Sequence, residues 1–180
     1  MPGRRQRSEC SIKGKLGELG FKVVGTKHPM QRIVDSFNKL SDDKAAFVKL
    51  VRKQEPGFFW TSSVSFMEFV DYLVSDKVDS ELVVPHWKTC RVCQPPLRPN
   101  LILKSEHLKS DLNFLTEKFQ LDPFEIFQIP DEESVDGMSD EAKALFTTLR
   151  QDLIFRIFDI FRLDHELFGY DPSAFIKLGS

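Results

Sequence analysis

FKVVGTKHPMQRIVDSF, residues 21–37, changes its hydrophobic period halfway along. Residues 21–25, FKVVG, are β-branched in the middle and closed by Gly25, which predicts a short strand. Pro29 suits a first helical turn, where its missing N–H costs nothing. Met30, Ile33, Val34 and Phe37 then recur at i, i+3, i+4 and i+7, so a helix from Pro29 presents one continuous apolar face. Strand, tight loop and helix follow one another, with Lys27 and His28 in the loop and Arg32 one turn into the helix. Such a unit aims unpaired N–H groups and a helix dipole at an anion. A plainer reading pairs Arg32 with Asp35, three residues on, for roughly 0.2–0.5 kcal/mol on a helix surface.

Working outward, Ser41 is a candidate cap for a helix over DDKAAFVKLVRK, with Asp42 and Asp43 at its positive end and Arg52 and Lys53 at its negative end. Residues 54–64 carry Pro56 and Gly57 and read as loop. SFMEFVDYLV opens with Ser65 and Glu68 at capping-box spacing and buries Phe66, Phe69, Val70 and Leu73. Residues 76–99, with Pro85, Pro95, Pro96 and Pro99, form a long connection of the kind that usually carries function or covers something. LILK (101–104) reads as a second strand and SDLNFLTEKF (110–119) as a helix. After the acidic stretch PDEESVDGMSDE, one long helix is expected from about Asp140 to Arg162, with Leu145, Leu149, Leu153, Ile157 and Phe161 on one stripe.

Strands alternating with helices predict an α/β class, helix-rich, with a small parallel sheet flanked by helices. Residues 1–20 are basic and aperiodic and read as a loose leader, which leaves 21–180 as one domain. With 180 residues, 41% of them hydrophobic, the chain has enough apolar side chains for a core. Seventeen Phe against two Tyr and two Trp fill that core with rings that need no polar partner.

Net charge is −2 but uneven: residues 1–54 hold 13 Lys+Arg and 5 Asp+Glu, whereas 55–180 hold 12 and 22. The first part would attract an anion, although a basic tail and solvated helix faces account for the same excess. Nucleic acid is not expected as a partner, because the basic residues are not interleaved with stacking aromatics. No apolar run approaches the ~20 residues that span a bilayer. A membrane link is therefore expected only through an N-terminal anchor lying before Met1. Cys10, Cys90 and Cys93 are too few for a disulfide framework. Cys90 and Cys93 have C-x-x-C spacing near His86, which is half a zinc site, but a closed site needs four ligands and no second motif appears. No metal is expected; thiol pairing and simple burial remain as readings of the pair.

Several segments together resemble the Golgi carbohydrate sulfotransferases, the branch that sulfates chondroitin, dermatan and related glycans. KHPMQRIVDSF is similar to the family's Arg-His/Asp-Pro-Phe-x-Arg-Leu-Val-Ser-Ala-Tyr/Phe. SFMEFVDYLV, HWKTCRVCQP with its His-Trp and Cys-x-x-Cys, and FRLDHELFGYD match in the same order. LKSEHLKSDLNFL also resembles a family segment through Lys104, Glu106, Leu108 and Asp111. The likeness runs from about residue 21 to residue 171.

The resemblance implies a partial P-loop-like sulfotransferase fold and transfer of a sulfuryl group from 3′-phosphoadenosine-5′-phosphosulfate to a glycan hydroxyl, in the Golgi. It implies that residues 21–37 hold the donor's 3′-phosphate through Lys27 and Arg32. Lys27 replaces the family's Arg, a point charge in place of a bidentate fork. Asp35 stands at the family's serine position, where a carboxylate repels phosphate, and Ser36 beside it is the candidate replacement. His86 and Trp87 are the acceptor-side candidates: a histidine can take a hydroxyl proton and an indole can pack on a sugar face, or both can simply pack the loop. His28 is expected to be structural, His107 and His165 to be exposed. Asp164 is expected as a cap or ion-pair partner, and Phe168 and Tyr170 as core or lid. The family's first loop, of Pro-Lys-x-x-x-Thr type, has no counterpart in residues 1–20, where Lys13, Gly14 and Lys15 lack a preceding strand. Two readings follow: a carbohydrate sulfotransferase or a fragment of one, or an inactive relative that binds nucleotide or glycan or acts as a scaffold.

Overall fold

Val23–Thr26 form strand β1, Pro29–Asp42 helix α1, Phe66–Leu73 helix α2 and His86–Thr89 the short helix α3. Leu101–Lys104 form β2, which runs through a 3₁₀ turn at Ser105–His107 into α4, Leu108–Phe119. Asp140–Phe146, Gln151–Phe168 and Ser173–Ile176 are α5, α6 and α7. The computed structural model describes residues 20–42, 64–75, 83–89, 99–120 and 137–178. Cys10, Cys90, Cys93, Lys13, Gly14, Lys15 and the helix expected over residues 43–53 lie outside the described residues. The molecule is helix-rich α/β with a small parallel sheet, as the alternating pattern predicts.

The chain divides into two compact units, Met1–His28 with Pro85–Gly137, and Pro29–Val84 with Met138–Ser180. In the first, β1 and β2 pair in parallel with Val23 opposite Leu101 and Thr26 opposite Lys104. Asn100 sets that register: its side-chain oxygen accepts from the Lys22 N–H at 2.7 Å, and its own N–H donates to the Lys22 carbonyl at 3.0 Å. Val23 and Leu103 face Leu112 and Leu115 of α4, and Phe21 meets Phe119 edge-on with ring centres 5.0 Å apart. Both strands therefore end at the same edge of the sheet, with α4 packed on β2.

In the second unit, the apolar stripe of α1 is buried as its period requires, through Met30, Ile33 and Val34. A chain of rings runs across this core: Phe37 to Phe66 at 5.3 Å, Phe66 to Phe146 at 5.2 Å, and Phe146 to Phe175 at 5.1 Å, each near the edge-to-face arrangement that aromatic quadrupoles favour. α2 begins with the expected capping box. The Ser65 hydroxyl accepts from the Glu68 N–H at 3.2 Å, and the Glu68 carboxylate accepts from the Ser65 N–H at 2.7 Å. Ser65→Ala should destabilise the protein by about 1 kcal/mol, read as a lower urea midpoint, while Ser65→Asp should restore most of it.

Two expectations are corrected here. α1 continues through Ser41 to Asp42, so Ser41 is the penultimate residue of this helix and not a cap. The single helix expected from Asp140 to Arg162 is two helices. Thr148 and Leu149 donate to carbonyls only three residues back, the hydroxyls of Thr147 and Thr148 donate to Ala144 and Leu145 carbonyls at 2.7 Å, and Arg150 is extended with ψ 147°. α6 then runs beyond Arg162 to Phe168, where Gly169 adopts the left-handed conformation that closes it. Among the described residues, no helix is long and apolar enough to cross a membrane.

Candidate functional site

In open sheets of parallel strands, ligands gather outside the carboxyl ends of the strands. At that edge of the first unit stand Thr26, the last residue of β1, with Lys27 and His28 after it, and Lys104, the last residue of β2, followed by Ser105. Thr26 is buried with its side chain turned inward, and its Oγ1 lies 3.2 Å from Nδ1 of His86, the first residue of α3. One bond between residues 60 apart in sequence thus ties the end of β1 to the His86-Trp87 pair. Lys27, the expected donor-side cation, directly follows Thr26 and is half-buried. Trp87 is half-buried too, and the Lys88 ammonium lies 5.6 Å from its ring centre.

Thr26 was not legible as a site residue, although a polar β-branched side chain closing an otherwise apolar strand is the signal that could have marked it. Behind this edge the packing is close. His28 is buried, as a structural residue should be. Gly137 has φ +73°, and a Cβ there would come within 3.0 Å of the His28 Cβ and 3.3 Å of the Glu106 carboxylate, so only glycine fits.

Arg32 and Ser36 belong to the second unit, on α1. Arg32 directs its guanidinium at acceptors within its own unit. One nitrogen donates to the Asp164 carboxylate at 3.3 Å and another to the Val84 carbonyl at 2.6 Å. Asp164 is 1% exposed and Arg32 17%, so this is a largely desolvated ion pair, and Asp164 has the ion-pair role expected of it. Gln31 donates to Asp35 at 3.0 Å and accepts from the Ser139 N–H at 2.8 Å, which fixes the entry of α5 against α1. Ser36 is half-buried. The structure thus gathers Lys27, His86 and Trp87 in one unit and places Arg32 and Ser36 in the other.

His107 is exposed as expected, but His165 is buried at the end of α6, with its Nδ1 3.2 Å from the Tyr170 carbonyl. The helix extends past Arg162, beyond the expected apolar stripe, and so buries His165 as well. Burial lowers the His165 pKa, while the Tyr170 carbonyl and Asp171 pull weakly the other way. Folding therefore favours the neutral ring. That contribution is complete above the unfolded value of about 6.5 and is lost as pH falls through it towards the lower folded value. Unfolding in urea at pH 7.5 and 5.5 should show lower stability at the acid end, and His165→Asn should flatten the difference.

Among the described residues, no group of three or more His, Cys, Asp or Glu side chains is arranged to hold a metal ion. Compared with known protein families, residues 6–171 match the model described as the sulfotransferase family. No curated protein and no solved structure matches the chain.

Proposed function

The chain belongs to the sulfotransferase family, and from that premise we propose that it transfers sulfate from 3′-phosphoadenosine-5′-phosphosulfate to a hydroxyl of a glycan, as Golgi carbohydrate sulfotransferases do. The observation that supports this reading is the Thr26–His86 bond at the carboxyl edge of the parallel strands, which ties the end of β1, next to Lys27, to the His86-Trp87 pair in one unit. Lys27 supplies positive charge for the nucleotide phosphate. Trp87 offers an indole for a sugar face, and His86 offers a ring nitrogen to the reacting oxygens. Sulfuryl transfer builds negative charge on oxygen, so donors and cations fixed at this edge stabilise it more than the ground state.

Incubation with radiolabelled donor and desulfated chondroitin tests the proposal. Label should pass to the polysaccharide and fall sharply in Lys27→Ala and Trp87→Ala. A folded protein that transfers no label to any glycan acceptor sinks it.

A second reading has its own observation. Arg32 already serves Asp164 and the Val84 carbonyl, which favours a relative that retains the fold and binds nucleotide or glycan without turnover. A melting-temperature rise with adenosine 3′,5′-bisphosphate, without label transfer, is the result that this reading expects. Loss of the rise in Arg32→Ala would place Arg32 among the phosphate ligands despite its bonds to Asp164 and Val84.

A further inference from the structure

We propose that Glu106 is the base that takes the proton of the acceptor hydroxyl as that oxygen attacks sulfur. The inference rests on the sulfotransfer reading above and adds a catalytic residue to it.

Glu106 lies two residues past the end of β2, in the 3₁₀ turn Ser105–His107. The ladder closes with Thr26 opposite Lys104, and the two chains stay close beyond it. Gly137 marks that closeness: a Cβ there would lie 3.0 Å from the His28 Cβ and 3.3 Å from both Cδ and Oε1 of Glu106. His28 and Glu106 each follow the last ladder pair by two residues, so both strand ends meet at one glycine. The carboxylate therefore stands at the carboxyl edge of the parallel strands, where ligands of such sheets collect.

Its residue type is informative at that place. Among the described residues of the first unit, the carboxylates are Glu106, Asp111 and Glu117, and the last two belong to α4. Glu106 is the one of the three set at a strand end. It is half-buried, and its Oε2 accepts from the Ser105 hydroxyl at 3.2 Å, which restrains the rotation of the group. Oε1 has no hydrogen-bond or ion-pair partner among the described residues, and a side chain at position 137 would press on it. An ionised carboxylate accepts hydrogen bonds and donates none. A hydroxyl placed against Oε1 can only point its proton at that oxygen, which is the geometry a base requires.

The surroundings suit a charged base beside an anionic donor. Lys104, two residues earlier, and Lys27 bring positive charge to the same edge and offset the repulsion between carboxylate and sulfonate. His86 is the competing base and is less open to a substrate: it is 9% exposed, and its Nδ1 is already engaged with Thr26. Close packing at Gly137 requires a side chain of this size but not a charge, so packing alone leaves the carboxylate unexplained.

In the step itself, a lone pair of the sugar oxygen forms the new bond to sulfur while the hydroxyl proton passes to Oε1 of Glu106. The bond from sulfur to the bridging phosphate oxygen breaks, and its electron pair leaves with adenosine 3′,5′-bisphosphate. Glu106 then gives its proton to water. Nothing is oxidised or reduced.

The full chain with radiolabelled donor and desulfated chondroitin tests this. Glu106→Gln keeps the size of the side chain and an oxygen for Ser105, and its kcat should fall about 100-fold or more, within the usual span of general-base effects. The KM for the polysaccharide and the melting-temperature rise with adenosine 3′,5′-bisphosphate should stay near native. Glu117→Gln, on the exposed side of α4, should keep the native rate. Glu106→Ala should be as slow as Glu106→Gln and should regain about tenfold or more when formate is added, with saturation, because a small carboxylate then takes the vacated place. A merely structural glutamate predicts no such rescue.

A Glu106→Gln rate within about threefold of native overturns the proposal, as does a Glu106→Ala variant that formate leaves unchanged. Should Glu106→Gln fail to fold, Glu106→Asp decides in its place: it keeps the charge and should outpace Glu106→Ala, and equal losses overturn the base role. No transfer by the unsubstituted chain overturns the sulfotransfer reading and this role together, whereas transfer that survives Glu106→Gln overturns this role alone.

Discussion

Asp164→Ala should cost the protein about 3 kcal/mol, near the lower end of the range for breaking a buried ion pair, because Arg32 keeps some access to water. The loss is not that of a surface bridge, which is typically worth about 0–1 kcal/mol. Asp164 is 1% exposed, and its removal leaves the Arg32 guanidinium desolvated with the Val84 carbonyl as a remaining acceptor. The pair joins α1 to α6 across 132 residues of sequence, so its loss loosens two helices of one core. Urea unfolding should show the midpoint fall with the slope unchanged, which marks lost stability and not a changed unfolded state. Replacing both partners, Arg32→Met with Asp164→Leu, should recover much of the loss, since no buried charge is then left alone. A single-variant loss below about 1 kcal/mol would mean that the pair is effectively solvated.

Phe146→Ala should be at least as damaging, at about 3–5 kcal/mol. Phe146 is completely buried and meets Phe66 and Phe175 edge-on, so its removal opens a cavity in the middle of the ring chain and breaks two favourable pairs at once. The control lies on α6. Phe155 is 49% exposed, and Phe155→Ala should change stability by no more than about 0.5 kcal/mol. The two substitutions delete the same atoms, so the difference between their unfolding midpoints measures burial alone. Equal effects would contradict the core described for this unit.

The capping box at Ser65, strand β2 over Leu101–Lys104 and the apolar face of α1 depend on neighbours within a turn, and local spacing is sufficient to reveal them. The break between α5 and α6 escaped for the same reason. Leu145, Leu149, Leu153, Ile157 and Phe161 keep a four-residue spacing through it, and Leu149, Leu153, Ile157 and Phe161 are fully buried, so the stripe has no gap to signal a turn. What overrides it is Thr147 and Thr148 bonding back to helix carbonyls, the local competition that threonine offers inside a helix.

The candidate site was legible in its members and not in their grouping. Lys27, His86 and Trp87 stand out by residue type and by resemblance, but the Thr26–His86 bond that joins them crosses 60 residues, and no periodicity reports such a pairing. Arg32 was conspicuous as a cation, whereas its commitment to Asp164 depends on a helix far along the chain. Val84 contributes a main-chain oxygen, for which residue type holds no information at all.

The two units are also interleaved along the chain, since each is assembled from two separated stretches. β1 is synthesised first, yet its described ladder partner, β2, is complete only at Lys104. At a translation speed of about 5–20 residues per second, that strand must wait several seconds as an exposed apolar edge. A ribosome-bound chain halted between the two strands should therefore be a far better chaperone substrate than one halted beyond α6, and a nick placed anywhere from Pro29 to Val84 severs the first unit's own connection without removing one of its residues.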